Sequence, residues 1–131
     1  MIIRQATLAD AAAIAKVRVD TWRTAYRGII PEDYLSNMSH EKSEQSWTGH
    51  LSEGESAKTW TYVAVDETGQ IVGFVSGGMG RDNDPVYKSE LYAIYILSGY
   101  QGKGTGRLLM LTLVEKLVQV GFDSMLLWVF A

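Results

Sequence analysis

The chain contains no cysteine. That excludes a disulfide framework, a thiolate metal site and a cysteine nucleophile. Histidine is almost as scarce, with only His40 and His50, too few for a dedicated histidine centre, so no metal is expected. Positive charge is also short: 12 Lys+Arg against 15 Asp+Glu give a formal net charge of −3. General nucleic-acid binding calls for a strongly basic surface, so nucleic acid is not an expected partner. No apolar run approaches the roughly 20 residues of a membrane-spanning helix. The opening stretch "MIIRQATLAD" has neither the basic nor the apolar region of a secretory signal. No membrane partner is therefore expected, and the cytoplasm is the expected compartment. There is no repeat, low-complexity run or Pro/Ser-rich linker. A length of 131 residues fits a single domain, and 47% hydrophobic content supplies its core.

What is present reads as alternating elements. "MIIRQA" has the alternation of a short strand. Thr7 followed by Asp10 resembles a capping box. The helix it opens carries Leu8, Ala11, Ala15, Val19, Trp22 and Tyr26 on one face, and Gly28 ends it. Pro31, with Glu32 and Asp33 in the next turn, marks a second helix start. The polar stretch from His40 to Gly54 reads as an exposed third helix. "KTWTYVAV" and "IVGFVSGGM", joined by the turn "DETGQ", read as a hairpin. "GRDNDPVYK" is a polar loop. "SELYAIYIL" is apolar at nearly every position, as in a strand buried on both faces. A broadly apolar helix follows through Leu108, Leu109, Leu111, Leu113, Val114, Leu117 and Val118, with Gly121 as its C-cap. "DSMLLWVFA" reads as a last strand. The fold class is α/β (α+β): an antiparallel meander leading into one βαβ crossover with two parallel strands.

Between the buried strand and the apolar helix stands "YQGKGTGRLL", with glycine at 102, 104 and 106. Three phosphate-binding patterns compete for it. The Walker loop Gly-x4-Gly-Lys-Ser/Thr fails because Leu97 replaces its first glycine and Gly104 its hydroxyl residue. The dinucleotide pattern Gly-x-Gly-x-x-Gly fails because Arg107 or Leu109 stands where its third glycine belongs. Gln-x-x-Gly-x-Gly is met in full by Gln101, Gly104 and Gly106. With its context "AIYILSGYQGKGTGRLLM", and with "IRQATLADAAAIAKV" at the start, the sequence resembles the GCN5-related N-acetyltransferase (GNAT) superfamily over nearly its whole length. Physics fits that ligand. Backbone amides at a helix N-terminus cradle a pyrophosphate, side chains at the glycines would push it away, and Lys103 and Arg107 add local positive charge.

The resemblance implies acetyl-CoA as co-substrate. Its phosphates would lie on Gln101, Gly102, Lys103, Gly104, Thr105, Gly106 and Arg107. In the superfamily the preceding strand bulges and splays from the next, and the acyl-pantetheine arm bonds to its exposed backbone, here Ile94, Tyr95, Ile96 and Leu97. Proline and an acidic residue often stand where this chain has Ser98 and Gly99.

Acetyl transfer to an amine needs the amine neutral, so a base or a water chain must take its proton. Glu90 is the candidate base, because it opens the central strand where many relatives place a glutamate; a solvated carboxylate at a strand end is the plainer alternative. Simple alternation puts Glu90, Tyr92, Ile94 and Ile96 on one face, and Leu91, Ala93, Tyr95 and Leu97 on the other. Tyr92 is a weaker candidate. Trp22, Tyr26 and Arg27 border the acceptor site by resemblance, although Trp22 and Tyr26 also continue the core stripe. Asp82 and Asp84 could attract a cationic acceptor or be plain solvated loop. His40 and His50 are expected to be exposed, and Ser98 has no partnered histidine.

The expected function is transfer of an acetyl group from acetyl-CoA to a primary amine of a small molecule or peptide. A non-catalytic acyl-CoA-binding module is the alternative. The superfamily continues with a helix and two more strands beyond the point corresponding to "LLWVFA", so residues 1–131 are expected to form one GNAT domain that is C-terminally incomplete. An apolar strand from Met125 to Phe130 would pair with that missing portion or with a second subunit, making a homodimer an open possibility.

Overall fold

The computed structural model describes residues 1–25, 40–53, 58–79, 89–122 and 125–127. The described elements are β1 (Ile2–Gln5), α1 (Ala11–Ala25), α2 (His40–Glu53), β2 (Thr59–Val65), β3 (Ile71–Met79), β4 (Ser89–Ile96), α3 (Thr105–Gln119) and β5 (Met125–Leu127). Short 3-10 turns, Leu8–Asp10 and Ser98–Tyr100, precede α1 and the glycine loop. The strands form one sheet in the order β1-β2-β3-β4-β5. Pairing is antiparallel through β4 and parallel between β4 and β5. This is the mixed sheet expected from the sequence, with the βαβ crossover carrying the glycine loop. The expected helix near Pro31, Gly28, the loop carrying Asp82 and Asp84, and Trp128 to Phe130 lie outside the described residues.

Asp10 organises the first turn. Its Oδ2 accepts from the Thr7 backbone N–H at 2.7 Å and from the Thr7 hydroxyl at 3.2 Å. Arg4 of β1 grips the same carboxylate with both guanidinium arms, at 2.8 and 3.0 Å. That bidentate bond, together with the Thr7 amide, holds the carboxyl below the usual aspartate range despite burial. The 3-10 geometry puts Leu8 out of phase with α1, leaving it 53% exposed rather than on the core stripe. Ile14 and Val17 take that place, packing on Val63, Ile71 and Phe74, while Ala11, Ala15 and Val19 are buried as expected.

The opposite face of the sheet carries α3. Leu109, Leu113 and Leu117, one turn apart, pack with Trp60, Ala64, Val72, Val75 and Leu91. The helix is less broadly buried than its composition suggests, since Leu108, Leu111 and Val118 are exposed. The strand buried on both faces is β3, not β4: every β3 residue except Met79 is buried, whereas β4 is only half-buried from Tyr92 onward.

A bulge resets β4. Ser76 lies opposite Ala93 but Gly77 lies opposite Leu91, so Tyr92 is an extra residue in the ladder. Leu91, Ile94 and Ile96 then pack together toward α3, and Ala93 and Tyr95 pack toward α1. The simple alternation expected for Glu90 to Leu97 is broken at Tyr92. Period-two reasoning cannot register an inserted residue.

Candidate active site

The glycine loop grows directly out of β4. The Leu97 N–H donates to the Val72 carbonyl at 2.9 Å, and the Leu97 carbonyl accepts from the Tyr100 N–H at 2.9 Å. Gln101 Nε2 reaches back to the Ile96 carbonyl at 2.9 Å, closing the loop on the strand. The chain then passes through left-handed backbone at Gly102 (φ 76°) and Gly104 (φ 80°) and enters α3. A side chain is strained at both positions.

The first intrahelical bond of α3 runs from the Leu108 N–H to the Gly104 carbonyl at 3.1 Å. The amides of Thr105, Gly106 and Arg107 therefore have no partner within the helix and sit at its positive end. A Cβ placed on Gly102 or Gly104 would meet nothing within 4 Å. Both glycines therefore border open space at the entry to α3. Gly106 differs: a Cβ there would come within 3.0 Å of Ile96 Cδ1, so this glycine lets α3 start close against β4. Lys103 and Arg107 are exposed beside the amides.

The ladder also sorts the backbone of β4. Leu97 is bonded to β3, and hydrogen-bonded positions alternate along an antiparallel pair. Tyr95 and Leu97 thus turn their backbone groups to β3, and Ile94 and Ile96 turn theirs to the β5 side. Of the four residues expected to offer backbone to a pantetheine arm, Ile94 and Ile96 have the right direction, with the Ile96 carbonyl taken by Gln101. Between β4 and β5 the described pairing covers Ser89 to Leu91.

Glu90 is 1% exposed, so it is not a solvated carboxylate at a strand end. It sits between Gly78 of β3 and Leu126 of β5. Its neighbour Leu91 points into the α3 cluster, so Glu90 lies on the α1/α2 face. His50 of α2 stands over that same face. Its Nε2 lies 3.2 Å from Ser76 Oγ, which is 2.9 Å from Thr61 Oγ1, and its ring meets Trp47 and Tyr92 edge-on at 5.1 and 6.2 Å. The expectation that His50 is exposed is thus corrected: it is half-buried and part of a polar cluster. The spacing Trp47, His50, Leu51 on α2 was the signal, since Trp47 and Leu51 pack on the Phe74 cluster and carry the histidine inward.

Trp22 is half-buried, and its indole N–H donates to the Tyr95 hydroxyl at 2.7 Å, tying the end of α1 to β4. Arg18 lies over the same indole at 5.7 Å. Tyr92 donates its hydroxyl to the Met79 carbonyl. Tyr26 and Arg27 lie outside the described residues, so Trp22 alone represents the expected acceptor side.

The chain matches the model of the Acetyltransferase (GNAT) family over residues 18–131. It belongs to the GNAT acetyltransferase family. A Bacillus subtilis (strain 168) relative, the uncharacterised N-acetyltransferase YuaI, is 43% identical over 127 residues, covering 97% of this chain and 70% of the relative. Spermidine N(1)-acetyltransferase of Thermoplasma acidophilum is 23% identical over 118 residues, covering 89% of this chain and 70% of that protein. Among solved structures, PaiA N-acetyltransferase from Thermoplasma acidophilum in complex with coenzyme A superposes with a TM-score of 0.82 at 22% identity, over 98% of this chain and 78% of that one. An aminoglycoside 6'-N-acetyltransferase from Acinetobacter haemolyticus gives 0.74 at 14% identity, over 98% of this chain and 79% of that one.

This GNAT protein is accordingly an acyltransferase working with an acyl-CoA donor, which decides between enzyme and non-catalytic binding module in favour of the enzyme. Among the described residues, no group of three or more His, Cys, Asp or Glu could hold a metal ion, and no helix is long and apolar enough to cross a membrane.

Proposed function

We propose that this GNAT enzyme moves an acetyl group from acetyl-CoA to a primary amine of a small molecule or peptide by direct attack. The observation that carries the reading is the loop at the head of α3: two glycines with positive φ, open space in front of them, and three amides without intrahelical partners. When bound, acetyl-CoA supplies an activated thioester acetyl group. Gln101 to Arg107 hold its phosphates through amides, with Lys103 and Arg107 adding charge. Ile94 and Ile96, the β4 residues whose amides face away from β3, hold the arm and donate to the acyl oxygen as negative charge develops there.

Glu90 takes the proton from the attacking ammonium, directly or through water. The neutral amine nitrogen then bonds to the acyl carbon, the tetrahedral intermediate collapses as the carbon–sulfur bond breaks, and the proton the nitrogen sheds balances the one the departing thiolate takes up. Burial of Glu90 keeps bulk water from competing for that proton. Trp22, with Tyr26 and Arg27 next in the chain, borders the acceptor. The test is thiol release from acetyl-CoA with a panel of spermidine, an aminoglycoside and a peptide with a free N-terminus, with products weighed by mass spectrometry. One acetylated amine per thiol and intersecting initial-rate lines are expected. Parallel lines, indicating an acetylated enzyme, would overturn direct attack.

A further inference from the structure

The glycine loop is also held from outside, by the turn between β2 and β3. In that turn Asp66 Oδ1 accepts from the Thr68 N–H at 2.9 Å, the Thr68 hydroxyl at 2.7 Å and the Gln70 N–H at 3.0 Å. Its other oxygen, Oδ2, accepts from the Tyr100 hydroxyl at 2.8 Å. Tyr100 is the last residue of the 3-10 turn before the glycines, and its ring packs against the α3 side of the core. On that ring, 5.7 Å from its centroid, lies the ammonium of Lys103, a cation–π contact. A turn two strands away is thus linked through one carboxylate and one aromatic ring to a cation of the phosphate-facing loop.

We propose that Tyr100 and Asp66 are positioning residues for the coenzyme, acting by fixing Lys103 where the phosphates of acetyl-CoA bind. Lysine is a flexible point charge, and its value to an anion depends on how little freedom it loses on binding. A ring locked at its hydroxyl gives the ammonium a fixed platform before the ligand arrives. The lock is steady across working pH. The Thr68 hydroxyl, then the Tyr100 hydroxyl, hold the Asp66 carboxyl down to about 2, and Asp66 in turn raises the Tyr100 hydroxyl, so acceptor and donor both keep their roles. The inference rests on the acetyl-CoA reading of the loop and extends it to residues outside the Gln-x-x-Gly-x-Gly motif.

Tyr100→Phe keeps the ring and removes only the hydroxyl. The Kd for acetyl-CoA, measured by titration calorimetry, is expected to rise about 3- to 10-fold, the worth of one hydrogen bond. In steady-state rates the loss falls on KM for acetyl-CoA rather than on kcat. Asp66→Asn removes the charged acceptor of the same bond, so the double variant binds no more weakly than the weaker single variant. Because Tyr100 acts through Lys103, Lys103→Gln costs less affinity in the Tyr100→Phe background than in the wild type. An unchanged Kd in Tyr100→Phe, a loss in kcat at constant KM, or fully additive losses with Lys103→Gln would each overturn the proposal and leave the coenzyme reading standing. Absence of acetyl-CoA binding by the wild-type protein would overturn both.

Discussion

Glu90 and Asp10 are both buried carboxylates with different duties, and pH separates them. As the proposed base, Glu90→Gln lowers kcat/KM by about 100-fold or more near pH 7. The loss shrinks as pH rises toward the amine's own pKa, because the acceptor then deprotonates unaided. Turnover unchanged at every pH would remove Glu90 from the mechanism. Asp10 is structural. Arg4 and Thr7 hold its folded pKa below the unfolded value, so its contribution is present above the ordinary aspartate range and is lost as pH falls through that range to the lowered value. Asp10→Asn should cost roughly 1 kcal/mol at pH 7, from the lost charge and second acceptor facing Arg4, whose side chain is 43% exposed and screened; the amide oxygen still accepts from the Thr7 N–H. Urea unfolding should show this gap narrowing at pH 3; a constant gap would argue against a charged role. Gly104 and Gly121 make a third pair, both with positive φ and open space around them. Alanine at either position costs about 1 kcal/mol of stability from strain. Only Gly104→Ala also weakens acetyl-CoA binding, by about 10-fold for one lost charge-assisted hydrogen bond, and equal affinities in the two variants would count against the cradle. At this scale the loop glycines were legible because Gly102 and Gly104 take left-handed backbone that strains a side chain and Gly106 lies close against Ile96. The burial of Glu90 and the inward turn of His50 were not, because each depends on neighbours distant in the chain.

At the scale of elements, the site exists because β4 is irregular. Pairing to β3 on one edge and β5 on the other encloses Glu90, and beyond the bulge at Tyr92 the backbone of Ile94 and Ile96 faces away from β3. Close packing at Gly77 supports this geometry. A Cβ there would lie 2.8 Å from both the Glu90 carbonyl and Leu113 Cδ2, so β3, β4 and α3 meet at a point with no spare volume. Gly77→Ala is expected to destabilise by about 1–3 kcal/mol through overpacking and to disturb the backbone at Glu90. Thermal unfolding and turnover measured together check this, and a variant of wild-type stability would show that β4 can yield. Among the described residues the strands and helices themselves were readable from the sequence, including the parallel pair around α3. The bulge was expected from the family resemblance alone, and the exposure of Leu8, Leu108 and Leu111 was not legible, because composition gives the amount of apolar surface but not its phase.

For the whole molecule, a net charge of −3 coexists with two exposed cations, Lys103 and Arg107, at the head of α3. The amides at the head of α3, Lys103 and Arg107 are the proposed anion site on this acidic protein. The loop motif, the order of elements and the sheet topology all point to the same co-substrate, whereas the acceptor is set by segments whose sequence carries no comparable pattern. Thermal unfolding in the presence of ligand reads whether the glycine loop binds coenzyme A. Acetyl-CoA at 100 times its Kd should stabilise the protein by about 2.7 kcal/mol, with NAD at the same concentration giving no shift. Stabilisation by NAD, with none by acetyl-CoA or coenzyme A, would contradict the account.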